Sequence, residues 1–241
     1  MAAFSLIDAI LWVHDQDVGG SSNKLMLKPS VDDLDSTVFG LGGYRRRVGG
    51  LKTVELSGDG YADTTATPDD AAFAALGVAD RAATVGAFST EGSVAYAFQA
   101  GEFSYEQFAG VGELAPFTVE LKGTNKAGLV RGQIAKAKGN VSATGVLGTA
   151  QQLGNVAAGQ SLYAVLHVFG VGTSITVLLE SDDNAGFSSP TTRATINGGP
   201  ITAAAGYWAT PTPGALTETH YRLRVSAITG TFLVAGFIGI G

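Results

Sequence analysis

The chain contains no cysteine, which excludes a disulfide framework, a thiolate metal centre and a cysteine nucleophile together. Charge is scarce as well: Asp, Glu, Lys and Arg make up 15% of the residues, against the usual quarter. The longest apolar run, 232–240, contains glycines and falls far short of the ~20 residues of a membrane-spanning helix. Residues 1–18 carry no basic leader region and mix Asp8, His14, Asp15 and Asp17 with apolar residues, unlike a secretory signal. The expectation is a product made in a cytoplasm, with no membrane partner. His14, His167 and His220 are too scattered for a zinc signature, and neither H-E-x-x-H nor G-x-S-x-G occurs. Gly40-Leu41-Gly42-Gly43 lacks the third glycine of a dinucleotide loop, because Arg45 stands there. No catalytic residue, metal or cofactor is expected.

What remains is glycine, 34 of 241 residues, and a hydrophobic share of 45%. Many tight turns and a sizeable core follow. Strand signals dominate. Phe117 to Lys122 alternates strictly between apolar and polar. In 51–61, Thr53, Glu55, Ser57 and Asp59 share one face, with Val54 and Leu56 on the other. The segments 162–169 and 175–179 are apolar on both faces and read as a hairpin of two buried strands joined by 170–174. The same pattern recurs at 221–225 and 231–238. A short helix is expected at 68–76, with Thr67 as N-cap, Pro68 at the first position and Gly77 as the stop. Segment 5–13 suits a strand slightly better than a helix. The fold class is mainly β: two packed antiparallel sheets, a sandwich or partial barrel with one flanking helix. The expected division is a β domain over 1–137, a Gly/Ala-rich connection over 138–159, and a β-rich half over 160–241.

The charge is uneven. Residues 1–120 hold 17 acids and 7 bases (−10), and 121–241 hold 4 acids and 8 bases (+4). No basic stripe is present to grip phosphates. Asp182-Asp183-Asn184 offers three oxygen side chains without the spacing of a calcium loop, so a polar turn is the simpler reading. His167, lying in an apolar run, reads as a structural histidine. Asp32, Asp33 and Asp35 read as an acidic face. The cluster Arg45-Arg46-Arg47, flanked by glycines, reads as a projecting loop that contacts acidic groups on a neighbouring copy.

Val31, Asp32, Leu34, Asp35, Thr37, Phe39 and Gly40, then Gly43, Tyr44, Arg45, Arg47, Gly50, Leu51 and Lys52, ending in Gly58 and Gly60, follow a pattern. It resembles the V-D-x-L-D-x-T-x-F-G…G-Y-R-x-R-x-x-G-L-K…G-x-G signature of phage major tail (tail tube) proteins of long-tailed actinobacterial phages. Arg46 departs from it, standing where a non-basic residue is usual. The resemblance implies a virion protein that is not an enzyme. It implies copies in hexameric rings that stack into a hollow tube, with other tail proteins as partners. DNA would pass through as a non-specifically contacted polymer. It points to Gly40, Gly42, Gly43, Tyr44, Arg45, Arg46, Arg47 and Gly49 as an assembly loop, and to Asp32, Asp33 and Asp35 as its acidic partner face. Thr53, Glu55, Ser57 and Asp59 become a candidate lumen face. Two other readings compete: a capsid decoration or head–tail connector protein, and a glycan-binding β-sandwich using Trp208, Tyr207 and Tyr163 beside the Asp182–Asn184 turn.

Overall fold

The computed structural model describes residues 7–38, 44–61, 74–107 and 113–241. The fold is mainly β, in two antiparallel sheets, as the sequence pattern predicts. The larger sheet holds β1 (Ile10–Val13), β2 (Gln16–Asp17), β3 (Ser22–Asp35), β4 (Arg47–Tyr61), β5 (Arg81–Gly86), β6 (Val94–Gln107), β7 (Pro116–Gly123) and β8 (Val130–Val141). β10 (Ser161–Gly170), β13 (Ala205–Trp208), β14 (Thr212–Pro213) and β16 (Phe232–Ile240) complete it. The smaller sheet runs β12 (Thr191–Thr195), β11 (Ser174–Asp182), β15 (His220–Thr229), β9 (Gly145–Gln152).

The long strand β6 is the branch point. Ala100 pairs with Arg81 of β5 on one edge and with Gly123 of β7 on the other. The opposite end of that second edge, Val94 to Ala97, pairs with β8. Two arms therefore leave one edge of β6 and fold to opposite sides: β7-β4-β3, and β8-β16-β10-β13.

Alternating side chains then build three cores in series. Leu162, Leu166, Val234 and Ile238 face the small sheet, against Leu147, Val177, Leu179, Tyr221 and Leu223. From the opposite face of the same strands, Val165 and Phe237 meet Ile10, Trp12, Ala82, Ala95 and Ala97. Leu11, Ala83, Val85 and Phe98, on the far side of that layer, meet Val54, Leu56, Phe117, Val119 and Leu121. Strands β1, β5 and β10 are thus covered on both faces, which is why 162–169 reads as an unbroken apolar run.

In the middle core His167 is fully buried and satisfied. Its Nδ1–H donates to the His14 carbonyl at 2.9 Å, so Nε2 accepts from the Thr84 hydroxyl at 2.9 Å. Its ring stacks on Phe169 and tilts against Trp12. The third core holds a buried carboxyl instead. Glu102 lies beside Leu121 in the row that continues to Leu56.

Two sequence expectations need correction. The strands β10 and β11 do not form a hairpin, because 170–174 carries the chain from the large sheet to the small one; β15 and β16 are joined by a similar crossing. Segment 138–159 is no connection, since it contains the end of β8 and all of β9. Its small residues fit close packing: a Cβ on Gly148 would fall 2.0 Å from the Ala135 carbonyl oxygen. The expected helix at 68–76 falls mostly outside the described residues; Ala74 and Ala75 are helical and Gly77 has φ +76°. Segment 5–13 yields a strand at Ile10–Val13.

Two outcomes follow from this packing. Burial holds the His167 pKa down to about 4, so its contribution is complete above pH 6.5 and disappears as pH falls through 4, up to about 3 kcal/mol. Burial pushes Glu102 up to about 7, so its contribution is present below pH 4.5 and is lost as pH rises through 7. The two oppose each other between pH 4.5 and 6.5. Urea unfolding should therefore show Glu102→Gln more stable than the parent by about 2 kcal/mol at pH 8, with a smaller gap at pH 5. Gly206→Val should destabilise by about 3 kcal/mol or more, because a Cβ there already meets the Ala82 Cβ at 2.6 Å.

Candidate assembly surface

The four strands β6, β7, β4 and β3 form a surface in cross-strand rows. On the side away from the core lie Lys24, Asp59, Thr118 and Glu106; then Met26, Ser57, Glu120 and Ser104; then Lys28, Glu55 and Lys122. Thr53, Glu55, Ser57 and Asp59 therefore share one face, as expected. The face is balanced rather than acidic. Lys24 lies 3.2 Å from Asp59, Lys28 3.8 Å from Glu55, and Lys122 3.5 Å from Glu120. Such exposed pairs add little stability, but they leave the surface close to neutral.

Beyond Pro29 and Val54 this sheet narrows to a two-stranded ribbon, because only β3 pairs with the 47–54 part of β4. Here the register slips. Val31 opposes Lys52, yet Asp33 opposes Gly49, so β4 advances three residues while β3 advances two. A bulge at Gly50 and Leu51 absorbs the difference. Its effect is to exchange the faces of β4. Gly50 turns toward Leu34 and Asp32, which a Cβ there would approach at 3.0 Å, and Gly49 turns toward Val31 at 3.1 Å. Leu34, Val48 and Leu51 consequently gather on the side that carries the balanced charges nearer the core. They are 53%, 48% and 77% exposed. Asp33, Asp35 and Arg47 lie on the other side, continuing the face that was apolar at the base. A two-stranded ribbon with an uncovered apolar face is marginal in water on its own.

At the ribbon end Ser36 N–H donates to the Arg46 carbonyl at 2.8 Å, and Arg46 N–H donates to the Thr37 hydroxyl at 3.0 Å. The Thr37 hydroxyl and N–H both donate to Asp35, holding its carboxyl below the usual range. Arg47 is ion-paired with Asp33 across the ribbon. This corrects the expectation that the arginines meet acids of another copy: Arg47 has its partner within its own chain. Tyr44, Arg45 and Arg46 are exposed, and among the described residues no ion pair engages Asp32, Arg45 or Arg46. Gly40, Gly42 and Gly43 lie outside the described residues.

A second apolar feature lies at the other end of the same sheet. Leu25 and Leu27 of β3 face Ala9, Val85, Val94 and Tyr96 across an open groove of about 480 Å³. Nothing in the sequence announced it, since its walls come from separate segments. The bulge did have a signal, the Gly49-Gly50 pair inside a strand pattern.

Other candidate sites resolve into structure. Asp182 accepts from Asn184 N–H at 2.9 Å and Ser189 N–H at 3.0 Å, so it closes its own turn, and these bonds lower its pKa. Among the described residues no group of three His, Asp or Glu is arranged to hold a metal. Trp208 meets Tyr163 edge-on at 6.0 Å in the middle core, whereas neighbouring Tyr207 packs against the core under the small sheet, so the three make no common platform.

No protein-family model matches the chain, and no curated protein does. Among solved structures it is similar to a component of the virion of a native gene transfer agent particle, at 14% identity and TM-score 0.43 over 53% of this chain and 97% of that one. It is similar to a chain from the tail of an empty gene transfer agent particle with C6 symmetry, at 13% and 0.38, covering 45% and 80%. A third is the Dit protein of SPP1, a hub adsorption apparatus protein of phages infecting Gram-positive bacteria, at 10% and 0.37 over 97% and 99%. All three TM-scores lie below 0.5.

The ribbon patch gives a direct expectation. Leu34→Ser combined with Leu51→Ser should leave the melting temperature of the isolated chain within about 2 °C of the parent, because both side chains are exposed. The same variant should reduce self-association in sedimentation velocity.

Proposed function

We propose that the protein is a structural component of a phage tail that assembles with copies of itself into stacked rings, the wall of a tail tube through which DNA passes. The observation that carries this reading is the ribbon. The residues of the tail-tube-like pattern that lie in β3 and β4, from Val31 to Asp35 and from Arg47 to Gly60, fall on one antiparallel pair of strands. Its outer part stands clear of the chain's own cores, with apolar side chains uncovered. A surface of that kind in a monomer marks a protein interface. Among the described residues the outer edge of β3 has no partner strand, which strengthens the point, since unpaired strand edges invite pairing with another chain.

The balanced face of β3, β4, β7 and β6 suits the inside of such a wall. DNA carries one charge per ~1.7 Å, and free cations along the path would hold it by displacing its counterions. Here each of Lys24, Lys28 and Lys122 is matched to a carboxylate. The polymer meets a lining without uncompensated positive charge.

Negative-stain images of the purified protein should show annular particles or tubes. Single rings that never stack would favour a connector, and a monomer under all salt conditions would overturn the assignment. In virions, Glu55→Lys with Asp59→Lys should slow DNA ejection while leaving tail length unchanged; ejection at the parental rate would remove the lining role from this face.

A further inference from the structure

We infer that the apolar side of the ribbon tip docks into the groove between β3 and the β5–β6 corner of a neighbouring copy, in a head-to-tail contact; this rests on the self-assembly reading above and names the surfaces it uses. Among the described residues, two apolar surfaces lie open at opposite ends of the same hairpin. The tip offers Leu34, Val48 and Leu51 as a convex strip. The groove, lined by Leu25, Leu27, Val85, Val94 and Tyr96, is concave and about 480 Å³ in volume, room enough for several aliphatic side chains.

The ribbon tip cannot fill the groove of its own chain. Leu34 lies about 23 Å along an extended strand from Leu27, at ~3.3 Å per residue, and the ladder with β4, on both sides of the bulge, holds the two ends of the ribbon apart. The tip of one copy can reach only the groove of another. Charge supports the same partner. Among the described residues no ion pair engages Arg45 or Arg46, which are exposed beside the apolar strip. Asp8 adjoins Ala9 at the groove and is exposed; it accepts from the Ser89 hydroxyl at 2.6 Å and N–H at 3.2 Å, and no cation pairs with it among the described residues. Docking brings these opposite charges to one rim, where complementarity sets orientation. Because tip and groove are different surfaces, the contact is heterologous, and repetition produces a ring or a filament rather than an isolated dimer.

The absence of cysteine makes a clean test possible. Leu51→Cys and Val94→Cys are made singly and together, and the assembled protein is treated with a short bis-maleimide. Expected are covalent ladders from the double variant and dimers from a mixture of the two singles, each at least tenfold above either single alone. Dimers from Leu51→Cys alone would mean that tips meet each other, overturning the proposal. Particles that form normally without cross-linking would overturn it too, while leaving the assembly reading intact. If the parent chain forms no particles, both fail. As a second measurement, Arg45→Asp with Arg46→Asp should lower assembly about tenfold, and adding Asp8→Arg should restore most of it; no rescue would count against this docking.

Discussion

The pairing of β6 is the constraint on which the architecture depends. One edge of that strand accepts β7 along its later half and β8 along its earlier half, so the chain diverges into two arms from a single hydrogen-bonded ladder. Each arm folds over the opposite face of the β1–β5–β6 layer, and the two halves of the chain share a core instead of touching across a surface. Small side chains make this possible. Ala82, Ala95, Ala97 and Ala235 let backbones approach around Trp12 and Phe237, and His167 closes the polar accounts of the layer by bonding once to the His14 carbonyl and once to Thr84.

That shared core gives the ribbon a rigid base. Among the described strands the outer part of β3 and β4 is held only by its own ladder, but at Pro29 and Val54 it enters a sheet anchored through β7 to β6. Function, on the reading proposed here, lies in the contrast between the two parts. The anchored part has a core on one side and matched charges on the other. The free part reverses that order and waits for a second chain.

The sequence was legible where period alone decides. The alternation in 51–61 and 117–122 placed the faces of β4 and β7 correctly, and the apolar segments at 162–169, 175–179, 221–225 and 231–238 are strands. Their partners were not legible. A strand buried on both faces has no face to reveal which sheet it joins, so the crossing at 170–174 was read as a hairpin. Segment 138–159 misled for a related reason: glycine and alanine mark a loose linker in one context and a tightly apposed strand in another, as at Gly148. The pattern points to a candidate loop at 40–49, but the ion pair of Arg47 with Asp33 depends on register, which the bulge sets.

The bulge at Gly50 and Leu51 also carries a lesson about how such a hairpin can change over generations. Side chains alternate, so lengthening or shortening β4 by two residues with a matching change in β3 keeps Leu34, Val48 and Leu51 on their present side. An insertion of one residue in β4 alone would add a second bulge or move Val48 out of the row it shares with Leu34, splitting the sticky strip between the two faces. Length variation among descendants of this chain should therefore come in even steps. The parity of the count, more than the identity of any one residue, is what selection would have to guard.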